Sequence, residues 1–308
     1  MTTITILIPT RNRPGPLARA LASVSELRVP DDYEIEVVVV DNSDDGNARD
    51  VVAGVPMPFA ITRIHVREPG VATARNRGLA EAQGEVVAFL DDDCEAPTEW
   101  LAAQVGTLLA TGADGSFGPR IAKIDGPEPE GAAWFTDTYS RDLAVPEGTD
   151  VSDRDAYLPL PGSAFLRERC FVGPTPFDQR LDDIGGEDVL LFRQLVMDGR
   201  RFVWSPRAAM VEYIPLSRLD RGFVMRRRYL SGQHRCLIPM MVRPPQRGEM
   251  LMHMAKGAAA TLVAGPLALL GRLGGRWPAG PTGLLMSGLG KLTWWRKDRP
   301  ALYGKGHR

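Results

Sequence analysis

Residues 84–100 read GEVVAFLDDDCEAPTEW, and the fold of this chain is decided there. Val86, Val87, Ala88, Phe89 and Leu90 form a short, unbroken apolar run that leads straight into Asp91, Asp92 and Asp93. An apolar run without alternation, bounded by turn residues, predicts a parallel strand covered on both faces. Open α/β sheets bind ligands at the carboxyl ends of their strands. Three carboxylates at such an end are either a hard-cation site or a crowded acidic turn. Their oxygens suit Mg²⁺ or Mn²⁺, ions that commonly bridge protein carboxylates and substrate phosphates.

Working outward, Thr3–Pro9 is β-rich and ends in a polar loop, Thr10–Arg13, before Leu17, Leu21, Val24 and Leu27 recur at helical spacing. Glu34–Val40 predicts a second strand that stops at Asp41, and Ala60–Val66 a third. A helix over Ala72–Ala82 then leads back to the central run. Strands alternating with helices predict a doubly wound, mostly parallel sheet. Three charged loops, Thr10–Arg13, Asp41–Asp45 and Asp91–Asp93, fall at strand ends. None carries GxGxxG or GxxxxGK[ST], so neither the usual dinucleotide fingerprint nor a P-loop is present. Asp44 and Asp45 precede Gly46 and read as turn residues; Arg11 and Arg13 read equally as ligand contacts or solvated loop charges.

Four stretches taken together carry a resemblance: IPTRNRPGPLARALASV (8–24), VVVVDNSDDG (37–46), GVATARNRGLAEAQGEVVAFLDDDCEAP (70–97) and GGEDVLLFRQL (185–195). In this order they resemble family 2 glycosyltransferases, inverting enzymes of the GT-A fold that use nucleotide sugars. The likeness covers roughly residues 3–215. It implies that Pro9, Thr10 and Arg11 line the base and ribose, that Asp41 hydrogen-bonds the base, and that Arg75 and Asn76 lie near the diphosphate or sugar. It implies a DxD-type site in the acidic triplet, with Asp91 and Asp92 toward the nucleotide and Asp91 and Asp93 on a divalent ion, Mn²⁺ or Mg²⁺. The triplet admits more than one alignment. Such an ion stabilises the charge developing on a nucleoside diphosphate leaving group.

The second half of the sequence is less periodic. Ser116–Ile124 predicts one strand, and Pro127–Asp155 a loop-rich segment whose Trp134, Phe135 and Tyr139 are either a sugar platform or packing anchors. Glu187 and Asp188 open an amphipathic run; acidic residues at a helix start commonly serve as caps and dipole partners. By resemblance the pair is the family's ED motif, with Asp188 as general base and Glu187 positioning either the acceptor or the helix start. An inverting displacement needs one carboxylate to take the acceptor hydroxyl's proton. Where many members carry a metal-ligating histidine further on, this chain has Glu212, also a hard-cation ligand. Glu212–Pro215 with Arg226–Tyr229 resembles the succinoglycan-type exopolysaccharide glucosyltransferases.

Composition sets the remaining bounds. At 308 residues the chain can hold a catalytic domain and an appendage. Cys94, Cys170 and Cys236 are distant and odd in number, against a disulfide framework or zinc knuckle. The start enters a strand without a signal-peptide pattern. Residues 1–217 carry 20 Lys+Arg against 35 Asp+Glu, whereas residues 218–308 carry 17 against 3. The expected division is therefore a catalytic domain over 1–217 (nucleotide-sugar half 1–110, acceptor half 111–217) and a basic helical tail over 218–308. Gly257–Gly271 is uncharged but only 15 residues long and is interrupted by Gly265-Pro266; a spanning helix needs about 20 apolar residues. Trp294 and Trp295, followed by Arg296 and Lys297, suit a membrane-interface anchor. The tail is accordingly expected to lie on a membrane surface, the cytoplasmic face of the plasma membrane, and not on nucleic acid; a buried helical hairpin is the alternative. The expected partners are a nucleotide-sugar donor and a polyprenyl-linked or polysaccharide acceptor. Two rival readings are a nucleotidyltransferase and a membrane-tethered pseudoenzyme.

Overall fold

The computed structural model describes residues 1–275 and 277–296, so Lys297 of the expected anchor lies outside the described residues. Two compact units are present: residues 1–182 with 187–215, and residues 183–186 with 216–308.

In the first unit the elements run β1 (Thr2–Thr10), α1 (Pro14–Ser25), β2 (Tyr33–Asp41), α2 (Arg49–Gly54), β3 (Ala60–His65), α3 (Val71–Glu81), β4 (Val86–Phe89), β5 (Cys94–Glu95), α4 (Trp100–Thr111), β6 (Gly115–Phe117), β7 (Arg120–Asp125), α5 (Ala132–Tyr139), β8 (Ala164–Leu166), α6 (Arg167–Cys170), α7 (Glu187–Met197), β9 (Phe202–Trp204) and β10 (Met210–Pro215). The main sheet has the order β3-β2-β1-β4-β8-β6-β9. It is parallel except for β8, which runs antiparallel to both β4 and β6. A second sheet, β5-β10-β7, stands at the carboxyl end of β4.

Hydrophobic burial on both faces holds the main sheet. Ile4, Ile6 and Ile8 of β1 point into a layer with Leu17, Leu21 and Val24 of α1, while Leu7 points into the opposite layer with Leu79 of α3. This period of two, with apolar side chains on both sides, is what a covered parallel strand requires. Under β4 and β8 the core is aromatic: Phe165 meets Phe89 at 6.0 Å and Phe117 at 5.3 Å between ring centroids, both edge to face.

The expected strand Ser116–Ile124 is two strands in two sheets. Gly118 and Pro119 separate β6 from β7, and a Cβ on Gly118 would sit 2.2 Å from the Ala208 carbonyl oxygen, so the chain turns where only glycine allows the approach. The expected loop 127–155 contains α5, on which Phe135 and Tyr139 are buried and act as packing anchors.

The second unit is helical: α8 (Arg221–Met241), α9 (Arg247–Leu273) and α10 (Ala279–Leu292). Asp220 caps α8 by accepting from Phe223 N at 2.7 Å. The expected interruption at Gly265-Pro266 does not occur, and α9 is continuous for 27 residues. Proline frees one carbonyl a turn earlier, that of Leu262, on a face of α9 whose side chains are exposed. Contacts among the three helices are close because small residues meet at the crossings: a Cβ on Gly232 would lie 2.2 Å from Ser287 O, and one on Gly288 2.9 Å from Gly257 O.

Candidate active site

Strand β1 lies between β2 and β4, so the carboxyl ends of the three strands stand side by side. In an open α/β sheet ligands bind in a crevice above such carboxyl ends. Thr10 ends β1, and its hydroxyl donates to Asp92 Oδ2 at 2.8 Å. Asn12 takes a left-handed conformation, φ 55°, and the loop it turns brings Arg13 back over the triplet. Arg13 Nη1 donates to Asp92 Oδ1 and to Asp93 Oδ2, both at 3.0 Å.

The chain leaves the triplet as β5, which pairs antiparallel with β10 and places Glu212 opposite Cys94. Tyr213 N donates to Asp93 O at 2.8 Å, fixing this register. Glu212 thereby stands beside the triplet, with Oε2 3.1 Å from Arg120 Nε of β7.

Two helices complete the wall. Helix α3 supplies Arg75, which is buried, lies 3.3 Å from Asp91 Oδ1 and pairs through Nη1 with Glu187 Oε1 of α7. The start of α3 is held by Asp182, whose carboxylate accepts from Ala72 N at 2.6 Å and Thr73 Oγ1 at 2.8 Å. Gly70, φ 153°, leaves room for that carboxylate: a Cβ there would sit 2.2 Å from Asp182 Cγ. Asp188 follows at the first turn of α7, half-buried, with Oδ1 accepting from Val189 N at 2.7 Å. Glu187 Oε2 is buried without a hydrogen-bond partner in the protein.

Six carboxylates (Asp91, Asp92, Asp93, Glu187, Asp188 and Glu212) thus share three arginines, Arg13, Arg75 and Arg120. The imbalance shows in their acidities. Burial, with Asp93 nearby, pushes Asp92 up to about 7 against Arg13 and Thr10. Burial likewise outweighs Arg75 and pushes Glu187 up to about 7. Asp91 is raised by burial and by Asp93 and Glu212, against the pull of Arg75. Burial alone would lower the pKa of Arg13, but Asp92 and Asp93 overcome that effect, raise the pKa and hold the guanidinium charged.

This donor set fits a divalent cation. It is all oxygen, carries excess negative charge and includes an unpartnered buried carboxylate oxygen. Among the described residues no group of three or more His, Cys, Asp or Glu side chains is placed to hold a metal ion by itself. A small hard cation bound by one or two carboxylates and completed by substrate phosphates needs none.

Of the residues expected in the site, Thr10, Arg75, Asp91, Asp92, Asp93, Glu187, Asp188 and Glu212 come together. Pro9 stands one residue before Thr10 in β1, and Arg11 lies 3.9 Å from Asp44 at the rim. Asp41 is fully buried and committed within the protein: Oδ1 accepts from Ser43 Oγ at 2.6 Å, and Oδ2 from Ala48 N at 3.0 Å and Arg63 Nη1 at 2.9 Å. Burial raises its pKa, but those donors outweigh burial and hold it below the ordinary aspartate value. Asn76 clips the chain at Phe177, donating to its carbonyl at 2.8 Å and accepting from its N–H at 2.9 Å. Sequence reasoning left Arg13 undecided and missed Arg63, Arg120 and Asp182. A lone charge in a loop or strand gives no signal of its partner; only the strand order brings these pairs together.

The geometry has counterparts among known proteins. Residues 5–158 match the family model Glycosyl transferase family 2. The chain belongs to that family. This glycosyltransferase is 30% identical over 234 residues to succinoglycan biosynthesis protein ExoM of Rhizobium meliloti, covering 75% of its own length and 73% of that protein. It is 28% identical over 279 residues to the pre-mycofactocin glycosyltransferase of Mycobacterium tuberculosis, covering 88% of its own chain and 54% of that one. Its fold is shared with the mannosyltransferase PcManGT from Pyrobaculum calidifontis, solved with GDP-Man and Mn²⁺, at a TM-score of 0.59 and 23% identity over 94% of this chain and 87% of that one. It is shared also with S. aureus TarS 1-349 in complex with UDP, at a TM-score of 0.56 and 18% identity over 80% and 68%. The GT-A fold and glycosyltransferase activity expected from the sequence therefore stand.

Proposed function

We propose that this glycosyltransferase moves a hexose from a UDP-sugar to a lipid-linked or polysaccharide acceptor in exopolysaccharide biosynthesis, with inversion at the anomeric carbon. The observation that supports the reading is the Arg75 bridge: one buried guanidinium ties the acidic triplet, through Asp91, to the Glu187-Asp188 turn. Donor-side and acceptor-side carboxylates thus face the same crevice. The likeness to the succinoglycan protein supports an exopolysaccharide setting, and the nucleotide-bound structures of the same fold support a nucleotide-sugar donor.

In this reading Pro9, Thr10 and Arg11 border the nucleotide. Asp41 shapes the base pocket by holding the 43–48 turn, since its oxygens are already engaged; a direct bond to the base requires Ala48 or Arg63 to give way. Asn76 contributes by fixing the 177 loop and not by touching the diphosphate. Asp91 and Asp93 would hold the divalent ion together with diphosphate oxygens. Glu212 joins them only by exchanging its contact with Arg120. The ion supplies charge stabilisation to the departing diphosphate. Asp188 takes the proton from the attacking acceptor hydroxyl. Glu187, held by Arg75 behind it, fixes the α7 turn so that Asp188 stays aimed into the crevice.

Calorimetric titration of UDP and GDP, with and without Mn²⁺, against wild type and Asp93→Ala tests the donor assignment. The expected result is Mn²⁺-dependent UDP binding that the substitution abolishes. Absence of binding by either nucleotide to folded protein overturns it.

A further inference from the structure

Helix α9 is apolar on the outside. Leu251, Met252, Leu262, Val263, Leu267, Leu269, Leu270 and Leu273 are all exposed, Leu262 and Leu273 each 76%. The side turned toward α8 and α10 is small: Gly257, Ala264 and Ala268 are its buried residues. At 100° per residue the exposed leucines and the intervening Ala255, Ala259 and Pro266 fall on one broad face, with Lys256 at its margin. In a water-soluble helix the apolar stripe faces the core. Here the order is inverted, and small residues mediate helix contact, as they do where lipid covers the outside.

Charge identifies the occupant. Residues 218–308 carry 17 Lys+Arg against 3 Asp+Glu, complementary to an anionic lipid surface. The α9–α10 turn fixes the orientation. Trp277 there is flanked by Arg221 and Arg272, with guanidinium carbons 5.3 and 5.7 Å from its ring. Tryptophan with arginine marks the headgroup level. By length alone α9 reaches across a bilayer. Its uncharged run between Lys256 and Arg272 is 15 residues, roughly 22 Å against the about 30 Å of a hydrocarbon core. Helix α8 packs along α10 and carries Arg226, Arg227, Arg228 and Arg235, which a transmembrane placement would draw into hydrocarbon at high cost.

We propose that α9 lies in the plane of an anionic bilayer, its outward leucine face sunk at the headgroup–acyl boundary and its charged turn at the surface. This holds whatever the donor and acceptor are.

The test uses the full chain with phosphatidylcholine vesicles, with and without phosphatidylglycerol. Wild type is expected to float with the anionic vesicles and to be released partly by salt. A Leu262→Asp/Leu270→Asp variant, altered only at exposed positions, is expected to lose vesicle binding by about tenfold or more while keeping its helical circular dichroism. Gly274→Cys reports the orientation, since the three native cysteines are buried; labelling of the vesicle-bound protein by an impermeant maleimide added outside is expected. Wild type that does not float with anionic vesicles overturns the proposal, as does a double variant that floats unchanged. So does protection of position 274, which means spanning, or a lipid-free dimer that the double variant dissolves, which means the face is a contact between copies.

Discussion

The Thr10 hydroxyl reaches Asp92 at 2.8 Å, joining the ends of two adjacent parallel strands that lie 82 residues apart in sequence. Asp92 is buried, so this bond offsets part of the cost of a carboxylate held away from water. Thr10→Val keeps the shape and removes the donor; a buried acceptor left short costs about 1–3 kcal/mol. Urea unfolding is expected to show that loss, and Thr10→Ser to recover most of it.

Arg75 serves two carboxylates at once. Arg75→Met leaves Asp91 and Glu187 without their common cation, and breaking a buried pair from one side costs about 3–5 kcal/mol. Arg75→Lys retains charge but not the fork that reaches both partners. Both variants are expected to lose turnover, Lys with the smaller loss of stability; an Arg75→Lys enzyme with unchanged kcat would refute the shared role.

Glu187 gives stability a definite slope with pH. Its pKa is raised from 4.5 to about 7 in the native state, so between those values the folded chain holds a proton that the unfolded chain has lost. Stability therefore falls as pH rises through this window and levels off above it. Asp92 acts in the same direction. Asp41, lowered in the native state, works oppositely and only below its ordinary range near 3.8. Thermal melts across this window are expected to decline toward neutral pH in wild type and to decline less in Glu187→Gln.

Chelation separates the carboxylates. EDTA is expected to abolish transfer and Mn²⁺ to restore it. Asp93→Asn is expected to weaken the apparent Mn²⁺ requirement curve by about tenfold or more, the usual scale for a direct ligand or its close support. Glu212→Gln, whose wild-type oxygen contacts Arg120, is expected to shift it less. Equal shifts would place Glu212 on the ion.

The N-terminal part of the fold, through Asp93, was legible because its signals are local. Val86–Leu90 is apolar without a break, Asp91–Asp93 follows immediately, and Ile4, Ile6 and Ile8 alternate about Leu7. The arginines that tune the site were not legible, because Arg13 meets Asp93 across 80 residues and Arg120 meets Glu212 through the pairing of β7 with β10. Ser116–Ile124 misled because the apolar residues on either side of Gly118 belong to different sheets. Helix α9 departs from the expectation because it runs unbroken for 27 residues with Pro266 inside it.

Asp182 holds the start of α3 from 110 residues further on. Strand β8, which borders β4, likewise arrives only at 164–166. A ribosome emitting this chain therefore cannot complete the sheet around β4 or anchor α3 before residues 164–182 have left the exit tunnel. Split versions cut near residue 110 or 160 would have an open sheet edge beside β4 and an uncapped helix above the crevice. A chimera that replaces residues 1–110 therefore has to keep a carboxylate at 182 for the incoming α3, and Gly70 to receive it.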